Sequence, residues 1–125
     1  MHVPAADPTA IGAQLDVLRA GDHDHEDMTI ETGLWYAPGH PVRIQVRKRD
    51  GRYDFTDGAA AVSLAGRPDR WLATASDAVA EMGMNVNRRG VVFVTGFPRR
   101  DLAALALRLA ECSRQVYLSL LEESE

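Results

Sequence analysis

The chain has 125 residues, 46% of them hydrophobic and 26% charged, values that suit one folded domain with a sizeable core and exclude a wholly disordered or fibrous chain. A net charge of -4 excludes bulk attraction to nucleic acid or anionic lipid, which begins from a basic field. The single cysteine, Cys112, excludes an internal disulfide framework and a multi-cysteine zinc site, so a reducing cytoplasm is expected.

Residues Pro8 to Ala20 read as a first helix, with Asp7 or Thr9 as cap and Ile11, Leu15 and Leu18 at helical spacing. Asp22-His23-Asp24-His25-Glu26-Asp27 is an acidic linker by composition. From Met28 the period changes to two: Met28, Ile30, Thr32 and Leu34 share one side of a strand that ends at a proline-rich turn. Val42, Ile44 and Val46 alternate with Arg43, Gln45 and Arg47 in a half-buried strand, and Asp50-Gly51 marks a hairpin. Tyr53 and Phe55 face inward from the returning strand, which Asp57-Gly58 ends. Ala59 to Ala65 reads as a connection of small residues. Asp69 caps a second helix carrying Trp71 or Leu72, Ala75, Val79 and Met82 on one stripe. Met84 to Asn87 and Val91 to Phe97 form a second hairpin, whose VVFV run is apolar on both faces and therefore interior. Pro98 precedes a long last helix from about Arg99 to Leu121, followed by an acidic tail.

The expected organisation is an N-terminal helix and acidic linker over 1–27 and an α+β domain over 28–125, one structural domain overall. Its order, α-β-β-β-α-β-β-α, predicts a single antiparallel sheet of about five strands with helices packed on it. No run approaches the roughly 18 uncharged apolar residues of a membrane span, and the N-terminus lacks the charged and apolar segments of an export signal. Neither export nor insertion is expected.

On the last helix, Leu102, Leu105, Leu109, Cys112, Val116 and Leu120 fall on one quarter of the circumference at about 100° per residue. Leu107 and Leu118 lie on the far side, with Tyr117 and Leu121 between. A lone helix on a sheet would leave these four in water, so they are the candidate partner-binding residues, and a symmetric homodimer is the commonest form such an interface takes.

The chemical readings are weaker. His23 and His25 project to one side of an extended segment, but the spacing of a calcium loop is absent and no metal is expected. Asp50, Asp54, Asp57 and Glu31 would suit a metal-dependent nuclease, except that turn chemistry explains Asp50 and Asp57. Arg47, Lys48, Arg49, Arg88 and Arg89 sit at two hairpin tips and form a candidate basic patch for nucleic acid, without interleaved aromatic platforms. No nucleophile elbow, phosphate-cradling glycine loop or HExxH motif is present, Cys112 lies on the core stripe, and neither catalytic residues nor a cofactor are expected.

The stretch Gly51-Arg52-Tyr53-Asp54-Phe55-Thr56-Asp57-Gly58, the following helix, the hairpin Met84 to Phe97 and the leucine-rich helix opening with Asp101-Leu102 resemble a bacterial and prophage family of small domains of unknown function. The similarity spans roughly Met28 to Leu121, and that family offers no catalytic residues to carry over. The order of elements is also similar to that of type III secretion chaperones and their relatives. That resemblance implies an acidic, cytoplasmic homodimer that binds an extended segment of a partner protein. Together these readings lead to a non-enzymatic protein-binding module, chaperone-like or phage-related. A nucleic-acid-associated protein is the alternative and an unrecognised enzyme, such as a metal-dependent nuclease, the third.

Overall fold

A computed structural model describes residues 8–20, 27–98 and 100–124. The order is α1 (Pro8–Ala20), β1 (Asp27–Ala37), β2 (His40–Arg49), β3 (Arg52–Thr56), α2 (Ala60–Ala65), α3 (Trp71–Glu81), β4 (Asn85–Val86), β5 (Val92–Phe97) and α4 (Leu102–Ser124). The five strands form one antiparallel sheet in the order β1-β2-β3-β5-β4. The expected α+β class and element order hold, and β5, the VVFV strand, lies between β3 and β4 as its two apolar faces require.

Three local expectations differ from the structure. The small-residue connection is a short helix, α2, that buries Ala61 and Val62. Arg70, not Asp69, occupies the cap position of α3, and its side chain makes no capping bond. The last helix begins at Leu102 and continues to Ser124, because Asp101 takes a left-handed conformation with φ of 56°. That conformation stops the helix from growing towards Pro98.

Alternation along the strands sends Ile30, Val42, Ile44, Val46, Tyr53, Phe55, Val92 and Val94 to one face, where they meet Ile11 and Leu15 of α1, Val79 of α3 and the α4 stripe in a single core. The N-terminal helix is therefore part of the same core as the rest. On α4, Leu102, Leu109, Cys112, Val116 and Leu120 are all fully buried. At about 2 kcal/mol for each large apolar side chain taken out of water, this stripe is a main source of the fold's stability.

The edge strand β1 is closed from the side by polar side chains. Gln14 of α1 accepts the Glu31 N–H at 2.9 Å and donates its amide to the Glu31 carbonyl at 2.9 Å, the same pair of bonds that a neighbouring strand would supply. Arg114 of α4 donates to the Trp35 carbonyl at 3.0 Å. Between them the ladder bulges, and the Thr32 hydroxyl donates to the Val42 carbonyl at 2.7 Å in place of a backbone group. Gln14→Ala is expected to cost about 1 kcal/mol in urea unfolding. Gln14→Glu is expected to cost more, since a carboxylate cannot donate to the Glu31 carbonyl.

Candidate protein-binding surface

The helices occupy one face of the sheet, and the side chains that alternate with the core residues point from the other. On that open face Thr29, Glu31, Arg43, Gln45, Arg47 and Thr95 are exposed, while Asp54, Thr56 and Phe93 are half-buried. The register sets Thr29 beside Gln45, Gln45 beside Thr56 and Thr56 beside Phe93. A groove of about 640 Å³ crosses the four strands β1, β2, β3 and β5, with Thr29, Gln45, Arg47, Asp54, Thr56 and Phe93 among its lining residues. Antiparallel pairing brings residues from distant parts of the chain side by side, so one surface draws on 27–29, 45–47, 54–56 and 91–95.

The same register neutralises the arginines of this face. The Arg47 guanidinium donates to both Asp27 oxygens, at 2.8 and 3.3 Å. Arg43 meets Glu31 at 2.7 Å and Arg49 meets Asp54 at 3.0 Å. Such exposed pairs contribute little to stability because water and salt screen them, but they cancel the local charge that a polyanion would need. At the bulge in β5, where Gly96 has φ of 72°, Asp54 also accepts the Gly96 N–H at 2.9 Å and Arg52 donates to the Gly96 carbonyl at 2.9 Å.

The candidate basic patch is divided by the fold. Arg47, Lys48 and Arg49 lie towards the β2–β3 hairpin tip, the end of β3 that pairs with Phe97. Arg88 and Arg89 sit in the β4–β5 turn, at the other end of β3, where Asp57 donates its N–H to Val92. Five residues of strand, roughly 15 Å, separate the two groups.

The leucines of α4 are better covered than a lone helix allows. Leu107, Leu118 and Leu121 are half-buried and pack against the core, because α1 and α3 flank α4. Tyr117 is buried at 8% exposure, its ring tilted against Tyr36 with centroids 5.5 Å apart. It serves the core and is not part of a surface, since Tyr36 of β1 covers it. Trp35, at 46% exposure, is the most exposed large hydrophobic residue among those described.

Inside the core is a polar network that sequence reasoning missed. Asp57, Ser113 and Tyr36 are 4%, 0% and 6% exposed. Asp57 accepts the Val92 N–H at 2.9 Å, the Ala59 N–H at 2.8 Å and the Ser113 hydroxyl at 2.6 Å. Tyr36 lies 2.6 Å from the Ser113 oxygen. A carboxylate can only accept, so Ser113 spends its proton on Asp57 and Tyr36 must donate to Ser113. Burial pushes the Tyr36 hydroxyl up and holds the Asp57 carboxyl above its ordinary range, although hydrogen bonds to Ser113, Val92 and Ala59 oppose the latter. Burial, reinforced by Asp57, raises the Cys112 thiol to about 11, which leaves it protonated and unreactive at neutral pH. The one signal in the sequence was Ser113, a polar residue beside Cys112 on the buried side of a helix.

The carboxylates weighed for metal chemistry are dispersed. Glu31 and Asp54 engage arginines on the open face, Asp50 occupies the hairpin turn and Asp57 lies in the core. Among the described residues no group of three His, Cys, Asp or Glu side chains is placed to hold a metal ion. His23 and His25 lie outside the described residues. No described helix is long and apolar enough to cross a membrane. Compared with protein-family models, curated proteins and solved structures, the chain matches none.

Proposed function

We propose that the chain is a non-enzymatic protein-binding module that works as a homodimer in the cytoplasm and docks an extended segment of a partner protein on the open face of its sheet. The observation that carries this reading is the one-sided layering, which leaves a groove across four strands with Phe93 half-buried in its floor. The charges that line it are Asp27, Arg47 and Asp54, two carboxylates against one guanidinium. This balance favours a neutral or weakly basic segment with one apolar anchor and disfavours a nucleic-acid backbone.

Selection from a random peptide library tests the reading. Retained peptides are expected to share an apolar residue and few acidic ones, and Phe93→Glu is expected to weaken their binding by at least about tenfold. Leu64→Ser, away from the groove, is expected to leave it unchanged. Retention indifferent to Phe93→Glu, or retention of nucleic acid alone with a steep salt dependence, would contradict the proposal.

A further inference from the structure

We propose that the second copy docks along the outer ridge of α4, antiparallel to its counterpart, about a two-fold axis passing between Cys112 and Ser113. This rests on the homodimer of the proposed function and gives it a surface and a register. The flanks of α4 are fixed by its hydrogen bonds. Arg108 donates to the Met82 carbonyl at 3.2 Å and Thr74 of α3 to Glu123 at 2.5 Å on one side. Arg114 donates to the Trp35 carbonyl on the other.

Opposite the buried stripe runs a ridge in which Leu107 and Leu118 are half-buried while Ala104, Glu111 and Arg114 are exposed. At about 100° per residue, Leu107 and Leu118 project within roughly 20° of each other, and Glu111, Arg114, Ala104 and Leu121 lie within about 50° of the same line. Any helix can be turned end for end about its midpoint; what this sequence adds is matched chemistry. The axis sets Leu107 against Leu118 of the second copy, Glu111 against Arg114 and Ala104 against Leu121, and each pairing occurs twice.

The leucine pairs supply apolar burial and the Ala104–Leu121 pairs let the helices approach. The two Glu111–Arg114 pairs oppose unlike charges at the centre, and Arg114 keeps donors to spare beyond the one given to Trp35. A parallel arrangement would place Glu111 against Glu111, so the charges select the antiparallel one. Because α4 lies on the helical side of the sheet, this dimer leaves both open faces uncovered, and one particle presents two grooves.

Sedimentation equilibrium tests the register. The native chain is expected to be a dimer, and Leu107→Glu and Leu118→Lys are each expected to weaken it on the order of 100-fold. The double variant sets opposite charges across the axis and is expected to recover most of the loss. Cooperative thermal unfolding of every variant shows that the monomers remain folded. A native monomer, a dimer indifferent to both single changes, or a double variant no tighter than the singles overturns the interface. Peptide retention measured on the same samples separates the two proposals: a native monomer that still retains peptide through Phe93 overturns the homodimer and its α4 interface but leaves the docking on the open face standing.

Discussion

Asp57→Ala is expected to lower the stability of the fold by about 4 kcal/mol, close to the whole margin of many domains of this size. The side chain is 4% exposed and accepts hydrogen bonds from Val92, Ala59 and Ser113. Alanine leaves all three donors unsatisfied, and each buried orphan costs about 1–3 kcal/mol, less when neighbours relax together. Tyr36 then loses the fixed orientation of its Ser113 acceptor, so α4, β1, β5 and the start of α2 loosen at one point. Ser113→Ala takes the acceptor from Tyr36 and one donor from Asp57 but keeps the Val92 and Ala59 bonds to Asp57, and is expected to cost about half as much. Urea unfolding of the two single variants and the double measures their coupling, which should be large because both changes break one network.

The same residue gives stability a pH dependence. Burial raises the folded-state affinity of Asp57 for a proton above that of the unfolded chain. The folded state therefore binds more protons over the interval between the two values, and the linked stability is complete below the unfolded carboxylate range and is lost as pH rises through the folded value. Asp57→Asn, which cannot titrate, is expected to remove this slope. An unchanged slope in Asp57→Asn would assign it to other groups.

Gly90→Ala is the second large effect, about 3 kcal/mol. Gly90 is buried in the β4–β5 turn with φ of +85°, and an added Cβ would lie 2.9 Å from both Cβ and Cγ1 of Val62. Val62 is 1% exposed and has no room to retreat. Overpacking contributes about 1–3 kcal/mol and the positive φ another 1–2 kcal/mol. If the collision dominates, Val62→Ala should cost less in the Gly90→Ala background than in the native chain. Additive losses would assign the cost to backbone strain and to the Val62 Cβ, which alanine retains.

Much of the fold is legible in residue order. The bounds of α1 come from a capping residue and apolar spacing, the alternation of Val42, Ile44 and Val46 fixes the buried face of β2, and the doubly apolar VVFV places β5 inside the sheet. The start of α4 is not legible in this way, because nothing in Arg100-Asp101-Leu102 announces a left-handed Asp101. The edge device is equally silent, since Gln14 meets Glu31 only after two elements have packed. The candidate site was read least well for the same reason. A helical wheel assigns Tyr117 to a surface because it knows nothing of Tyr36, and it overstates the exposure of Leu107, Leu118 and Leu121 because it omits α1 and α3. Arg47 and Arg49 look free in sequence, yet register supplies Asp27 and Asp54. Conversely, Phe93, Thr56, Gln45 and Thr29 have nothing in common until four strands align.

The docking reading is tested most directly by amide chemical shifts as a selected peptide is titrated into the native chain. Changes centred on Thr29, Gln45, Thr56 and Phe93, with α3 and α4 undisturbed, are the predicted result. Changes confined to the helical layer, or none at saturating peptide, would contradict a binding surface on the open face of the sheet.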